Sequence, residues 1–322
     1  MFHLAKKTLI LLLTKKITMN KKKTEKHEIR RWWDYKRQLR WKNIYNEKNY
    51  SSLALNNRKK MILDYIDKLK LKKIKVLEIG FGGGQLAYEL IKKGNYYEGI
   101  DISSKLTKVA KMRCKSLPKK KYSFKVASIE KDLKYKKSSF DLVIVAGVFQ
   151  YSLKPKFVFK EIHRVMKKNA IFICAQTNFY KLQYFFSFRS LLIRTFYIFA
   201  DEQLEISNSL RSLFMETKLK KILNKNQKRF ILKSDFFNKN FQKINFKFKK
   251  RIFYRKKIVN FANSTGFKVI FKDACGPYLN INYEKNLYWI INYIIETLSK
   301  IFPFRILKNF GESQIIILKN DA

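Results

Sequence analysis

Cysteine and histidine are scarce in this chain of 322 residues, which contains three of each. The cysteines are far apart in the sequence, and so are the histidines. They are Cys114, Cys174 and Cys275, and His3, His27 and His163. This distribution gives neither a zinc-binding spacing nor a disulfide framework, and no metal site is predicted. So few cysteines fit a protein of the reducing cytoplasm.

Long apolar runs are also lacking. The run Leu9–Leu13 is too short to span a bilayer, and no small-residue cleavage site follows it. Met19 precedes a lysine-rich stretch and is an alternative start, so we expect residues 1–18 to be dispensable for folding. No other segment is a clean candidate for a transmembrane helix.

Acidic residues are few: 24 Asp and Glu face 71 Lys and Arg, a formal net charge of +47. Such an excess is typical of proteins that bind nucleic acid or an anionic membrane surface. However, 57 of the basic residues are Lys and only 14 are Arg, the better residue for phosphate recognition. The chain is also rich in Ile, Asn, Phe and Tyr, which AT-rich codons encode. Compositional drift therefore remains an alternative source of the charge.

Apolar runs alternate with amphipathic stretches through the middle of the chain, which predicts an α/β fold with a doubly wound parallel sheet. The predicted strands there are 75–79, 96–102, 122–127, 140–146 and 170–175, and the predicted helices are 85–93, 105–114 and 155–167. The pattern stops after residue 177 and resumes with a helix at 255–265, a strand at 267–272, an aromatic helix near 286–301 and a strand at 313–319. We divide the chain into a basic and partly disordered N-terminal segment (1–49), a ligand-binding half (50–177), an aromatic and basic insert acting as a cap (178–250), and a C-terminal completion of the sheet with an aromatic helix (251–322).

The stretch VLEIGFGGGQLA (76–87) places four glycines within five positions, directly after a predicted strand. A glycine-rich turn between a strand and a helix lets a nucleotide-like ligand approach the backbone closely. Asp101 ends the second predicted strand, where an acidic residue holds ribose hydroxyls. The dinucleotide pattern G-x-G-x-x-G fits poorly, since Gln85 occupies its third position unless the frame starts two residues late.

Several of these stretches resemble the class I S-adenosylmethionine-dependent methyltransferases. EIGFGGG (78–84) is similar to the family's first motif, and GIDIS (99–103) to its acidic motif after the second strand. SFDLVIVAGVFQY (139–151), FKEIHRVMKKNAIFICAQTN (159–178) and GESQIIILKN (311–320) resemble later segments. The resemblance implies a Rossmann-like, seven-stranded, mostly parallel sheet with an antiparallel last strand. It also implies S-adenosylmethionine as cofactor. The chain departs from the family at Lys167–Ala170, a predicted turn where relatives have Pro-Gly-Gly.

The resemblance also assigns cofactor-binding roles. Glu78 would engage the cofactor's amino group, and Asp101 its ribose hydroxyls. Arg58 would pair with its carboxylate. The remaining predicted cofactor contacts are Gly80, Gly82 and Gly84 in the turn, Ile102, Ser128 and Ile129 around the adenine, and Ala146 under the sulfonium. Relatives often have Asp where Ser128 stands, and Glu130 or Asp132 is an alternative here.

Catalysis needs little from the protein, because a sulfonium is already an activated methyl donor and alignment with water exclusion suffices. Gln150 and Tyr151, just after the fourth strand, are the candidates to orient an acceptor; packing under the cofactor is the alternative. His163 lies inside a predicted helix and is a poor candidate for a base. We assign no general base.

The acceptor is expected to be a small molecule, a glycan or a lipid-linked compound, with O-methylation the favoured reaction. The insert and the segment 286–305 either cap the sheet or form a lid that contacts a membrane surface through Tyr288, Trp289, Phe302 and Phe304. The expected location is the cytoplasm, including the inner face of the membrane. An RNA methyltransferase is a less favoured alternative, since no N/D-P-P-Y/F motif follows the fourth strand. A non-catalytic cofactor-binding protein is another.

Overall fold

The computed structural model describes residues 25–34, 41, 43–47, 50–182, 194–195, 198, 204–207, 249–277, 286–299, 301, 307 and 309–321. The chain divides into two compact units, residues 1–32 with 205–250 and residues 33–204 with 251–322. The second unit contains the main sheet and every residue of the site described below. Among the described residues, no helix is both long and apolar enough to cross a membrane.

A seven-stranded sheet forms the centre of the second unit, with strand order β3-β2-β1-β4-β5-β9-β8. Its strands are β1 (Lys75–Ile79), β2 (Tyr96–Asp101), β3 (Tyr122–Val126), β4 (Phe140–Ala146), β5 (Met166–Thr177), β8 (Phe267–Cys275) and β9 (Ser313–Asn320). The first five pair in parallel, and β9 is antiparallel to both β5 and β8. The predicted Rossmann-like fold with an antiparallel last strand is therefore confirmed.

Helices cover both faces of this sheet. They are α1 (Tyr50–Lys68), α2 (Gln85–Lys92), α3 (Ser104–Arg113), α4 (Pro155–Val165) and α5 (Arg255–Asn263); a further helix, α6 (Asn286–Leu298), lies in the connection from β8 to β9. One hydrophobic core joins the sheet to α4 and α5, and the other joins it to α1, α2 and α3. Strands buried on both faces explain continuous apolar runs such as FDLVIVA in β4. The parallel strands all end at one edge, the carboxyl edge, where ligands bind in sheets of this kind.

The start of β5 differs from the prediction. The helix before it was predicted to reach Lys167, and Lys167–Ala170 was predicted to be a turn. Instead α4 ends at Val165 and β5 begins at Met166. Met166 pairs with Phe140, and the register then shifts so that Leu142 pairs with Ile171. Asn169 absorbs this bulge in the left-handed region, with φ 62°.

Little of the predicted insert lies within the described residues. Two short strands, β6 (Leu204–Ser207) and β7 (Lys249–Ile252), form a separate two-stranded sheet. The aromatic stretch of the insert lies mostly outside the described residues, as do Phe302 and Phe304 and the expected dispensable segment 1–18. Whether the insert acts as a cap stays a prediction.

Candidate functional site

The glycine turn after β1 adopts a backbone that other residues rarely take. Gly80, Gly82 and Gly84 have φ of 79°, 57° and 74°, and the Gly80 N–H donates to the Ile100 carbonyl oxygen at 2.7 Å. A Cβ on Gly80 would lie 1.9 Å from Val148 Cγ2, in the turn after β4. The sequence therefore requires glycine there because the turns after β1 and β4 nearly touch.

Asp101, at the end of β2, faces this turn. Its carboxylate accepts hydrogen bonds from the Gly82 N–H at 3.0 Å and from the Ser103 N–H at 2.9 Å, one to each oxygen. Burial raises the pKa of Asp101 to about 6, although these backbone N–H groups oppose the rise. Each oxygen keeps acceptor capacity, so two neighbouring hydroxyl groups are suitable ligands.

Glu78 lies on the neighbouring strand β1 and is buried, with 3% of its surface exposed. Its carboxylate accepts a hydrogen bond from the Tyr97 hydroxyl at 2.7 Å. Burial raises the pKa of Glu78 to about 7; the Tyr97 bond and the Arg58 charge oppose the rise, and the Asp101 charge adds to it. Two buried carboxyl groups thus flank the glycine turn, an arrangement that favours a ligand with a cation and hydroxyl groups.

Arg58, on α1, reaches the turn after β4. A Cβ on Gly147, which has φ 76°, would lie 2.8 Å from Arg58 Nη1. Arg58 also hydrogen-bonds Tyr45, which opposes the rise that burial causes in the Tyr45 pKa. The fold therefore brings the predicted Arg58 into the electrostatic neighbourhood of Glu78, as a cation beside the glycine turn.

The sequence analysis missed the contribution of residues 33, 34, 41 and 43–47, which we call the N-terminal strap. The Asp34 carboxylate accepts from Ser103 Oγ at 2.6 Å and from the Lys105 N–H at 3.3 Å, directly after Asp101. The Gln85 amide donates to the Trp41 carbonyl oxygen at 2.8 Å. The strap is thus tied to the first residues of both helices that follow the ligand-binding turns.

Aromatic rings of the strap lie across the same edge. Trp33 contacts Trp41 and Tyr151, with ring centroids 5.7 Å and 5.6 Å apart. A Cβ on Gly82 would meet the Trp41 ring at 3.8 Å, an ordinary van der Waals contact, so the space between the turn and the ring is only about one carbon atom wide. The Trp41 indole Nε1 is buried and has no hydrogen-bond partner among the described residues. The run WWDYKRQLRW (32–41) was the available signal, but sequence spacing does not reveal its contacts with the turn.

The predicted adenine contacts lie after β2 and β3. Ile102 is half-buried, and Ile129 packs partly against the core shared with α4. Ser128 Oγ accepts from the Glu130 N–H at 3.3 Å. The Glu130 carboxylate accepts from the N–H groups of Leu153 and Lys154 and from Ser152 Oγ. Glu130 therefore fixes the loop before α4, which weakens it as a substitute for Ser128.

Gln150 and Tyr151 follow β4, as predicted, but differ in their surroundings. The Gln150 amide donates to the Gly147 carbonyl oxygen at 3.2 Å and accepts from Thr177 Oγ1 at 3.1 Å. Gln150 thus braces the turn after Ala146, whereas Tyr151 contacts Trp33 of the strap. The roles of both residues toward an acceptor stay predictions, and Tyr151 is the candidate nearer the aromatic rings.

His163 lies far from these groups, near the edge where the parallel strands begin. Its ring contacts Phe267 at the start of β8, with centroids 5.2 Å apart, and burial lowers its pKa.

A second polar group missed from sequence lies at the carboxyl edge beside β5. There Glu312 accepts hydrogen bonds from Lys181 and Tyr50, and Lys181 is only 9% exposed.

Comparison with known proteins places this geometry in context. The family described as "Methyltransferase domain" matches residues 70–227. A ubiquinone biosynthesis O-methyltransferase from Pelagibacter ubique (strain HTCC1062) is 34% identical over 163 residues, covering 50% of this chain and 66% of the relative. One of the same name from Paracidovorax citrulli (strain AAC00-1) is 28% identical over 138 residues, covering 42% and 52%. The chain thus spans between half and two thirds of the length of these relatives.

Among solved structures, the magnesium protoporphyrin IX methyltransferase from Synechocystis PCC 6803, determined with bound SAH, superposes with a TM-score of 0.54. The superposition covers 92% of this chain and 99% of that one, at 12% sequence identity. At this identity the likeness establishes the fold alone.

Proposed function

This chain carries a class I S-adenosylmethionine-dependent methyltransferase domain, and we propose that it transfers a methyl group from that cofactor to a hydroxyl oxygen of a small-molecule acceptor. The observation that carries the proposal is the arrangement around the glycine turn. Glu78 and Asp101 are buried on neighbouring strands, and the Gly82 N–H binds the Asp101 carboxylate between them.

The residues present fit the cofactor. Asp101 has acceptor capacity for both ribose hydroxyls, and Glu78 has a carboxylate for the amino group. Arg58 is the cation for the cofactor's carboxylate, and Ile102 is an apolar contact for its adenine. Trp41 lies beside Gly82 and would close over a cofactor bound at the turn.

The bound cofactor supplies a sulfonium-activated methyl group. In-line transfer to the acceptor oxygen would leave the electron pair of the carbon–sulfur bond on sulfur, and the hydroxyl proton would pass to solvent. The protein's part is to align the reactants and exclude water. The rings of Trp33, Trp41 and Tyr151 are placed for that exclusion, since they join the strap to the turn after β4.

The acceptor class is supported by the two relatives, both named ubiquinone biosynthesis O-methyltransferases. Ubiquinone is a lipid-soluble quinone, so we propose a hydroxylated, apolar small molecule as the acceptor. A lipid-linked or glycan acceptor belongs to the same proposal of O-methylation. An apolar acceptor dissolves in the membrane, so we propose that the protein meets it at the inner face of the cytoplasmic membrane.

Calorimetric titration with S-adenosylmethionine tests the cofactor site. Asp101→Ala removes contacts to two hydroxyls, and we expect a loss of about 1.5–3 kcal/mol, roughly 10- to 150-fold in Kd. Gly82→Val should abolish binding, because a branched side chain would crowd the Trp41 ring at the turn and strain a backbone at φ 57°. Asp67→Ala removes an exposed carboxylate paired with Lys93 and serves as the matched control.

Each variant must first unfold cooperatively and retain its circular dichroism spectrum. Unchanged affinity in both folded site variants would refute the assignment of the glycine turn and Asp101. Absence of binding by the unaltered chain would refute the proposed function itself.

A further inference from the structure

Helix α6 turns apolar side chains outward. Ile290, Tyr293 and Ile294 are 54%, 73% and 48% exposed, and Ile301 just beyond the helix is 53% exposed. The first three are spaced three and four residues apart, so they form one stripe on the helix surface. We call these four residues the exposed stripe.

Two polar side chains at this helix are buried. Asn292 is 1% exposed, and Ser299, directly after the helix, is 3% exposed and donates to the Glu296 carbonyl oxygen at 2.7 Å. Glu296 is the only charged residue in the helix sequence NLYWIINYIIETL. A helix on the surface of a water-soluble domain ordinarily turns its large apolar residues toward the core, whereas three of them are exposed here. Contiguous exposed apolar residues of this kind mark an interaction surface.

The position of α6 in the fold relates this surface to the site. The helix belongs to the connection from β8 to β9. Because β8 runs parallel to β1 and β9 runs antiparallel to it, this connection leaves and re-enters the sheet at the carboxyl edge. That edge also carries the glycine turn and Asp101. Helix α6 is therefore connected at both ends to the edge of the sheet that carries the site.

We propose that the exposed stripe docks this protein on the surface of an anionic lipid bilayer. The net charge of +47 attracts such a surface and repels a second copy of the same chain. In the sequence, Lys285, Lys300 and Arg305 flank α6, which is the pattern of an interfacial helix with basic ends. The helix has 13 residues, suited to lying in the interface and too short to span it.

Vesicle flotation with the full chain tests this proposal. Neutral phosphatidylcholine vesicles are compared with vesicles containing about 30% phosphatidylglycerol, at low and at physiological salt. We expect flotation with the anionic vesicles. The triple variant Ile290→Gln, Tyr293→Gln, Ile294→Gln should bind them about tenfold or more weakly, because the apolar contacts are lost while the charge is unchanged. Gln is a good helix former, so the fold should persist.

The matched control is Met112→Gln together with Tyr96→Gln, which replaces exposed apolar residues of α3 and β2. It should float like the unaltered chain. Equal flotation of the triple variant, or no flotation of the unaltered chain, would overturn the proposal. A concentration-dependent dimer in sedimentation, lost in the triple variant, would instead assign the stripe to a protein interface and would also overturn it. Cofactor binding is measured separately, so failure here leaves the proposed function standing.

Discussion

A carboxyl group as deeply buried as Glu78 binds its proton more tightly in the folded chain than in the unfolded one. Its pKa rises from the ordinary value of 4.5 to about 7. Between these two values the folded protein holds a proton that the unfolded chain has released. The free energy of unfolding therefore falls as pH rises from about 4.5 to about 7, and it then levels off.

Glu78→Gln should remove much of this pH dependence. The amide oxygen still accepts from the Tyr97 hydroxyl, but no charge forms in the buried site. We expect the variant to be more stable than the parent at pH 8, by roughly 1–3 kcal/mol, and close to it at pH 5. Urea unfolding at both pH values, without cofactor, measures the effect. Cofactor affinity should fall in the same variant, since the amino group loses an ionic partner.

Glu98→Gln is the matched comparison, because Glu98 lies on the neighbouring strand but is partly exposed and paired with Lys75 and Lys125. This change removes surface ion pairs and should not reproduce the gain at pH 8. If Glu78→Gln keeps the parent's pH profile, burial of a charged Glu78 does not limit the stability of the protein.

At the scale of elements, local patterns were enough to predict the strand–turn–helix unit of the site. The predicted elements match Lys75–Ile79 and Gln85–Lys92 within one residue. The match is close because the apolar run and the glycines determine the structure of residues next to them in the sequence. The start of β5 was not predictable in this way. Asn320 donates to the carbonyl oxygens of Met166 and Lys167, a contact over about half the chain that no local pattern contains.

The N-terminal strap was missed for the same reason. Its basic and aromatic composition was interpreted as part of a partly disordered segment, yet its contacts are with residues far along the chain. Trp33 meets Tyr151, and Asp34 meets Ser103. The sequence shows that tryptophans are present there. Only the fold shows that Trp41 lies beside the glycine turn and that Trp33 contacts Tyr151.

The strap carries a prediction of its own: Trp41→Leu should weaken binding of S-adenosylmethionine more than binding of S-adenosylhomocysteine. The first ligand has a cationic sulfonium and the second a neutral thioether, and an indole ring near a cation contributes about 0.5–2 kcal/mol. Gln85 bonds the backbone oxygen of residue 41, so the substitution preserves that tie. Calorimetry with both ligands gives the ratio of their affinities.

Phe271→Leu is the control, since Phe271 is a 42% exposed ring that contacts Tyr65. It should change neither affinity. If Trp41→Leu weakens both ligands equally, Trp41 closes the site without distinguishing their charge.

On the scale of the whole molecule, the net charge of +47 has three possible explanations, which the sequence does not distinguish: RNA binding, membrane attraction and compositional drift. They differ in their physical consequences. Contacts with phosphates weaken steeply with salt, whereas an apolar acceptor is held by burial and is much less salt-dependent. Charge alone therefore does not identify the acceptor, and the methyl group itself must be followed.

The last prediction follows that methyl group. The full chain is incubated with methyl-labelled S-adenosylmethionine and cell extract, which is then separated into organic-soluble, water-soluble small-molecule, protein and RNA fractions. We expect the label in the organic-soluble fraction, as an alkali-stable methyl ether, because the proposed acceptor is apolar and hydroxylated. Raising the salt concentration from 50 to 200 mM should weaken the affinity for RNA by orders of magnitude. The same change should leave methyl transfer to the apolar acceptor largely intact. Asp101→Ala should reduce the label in proportion to its lost cofactor affinity. Label in RNA would establish the rival acceptor, and cofactor binding with no label in any fraction would leave a binding protein rather than an enzyme.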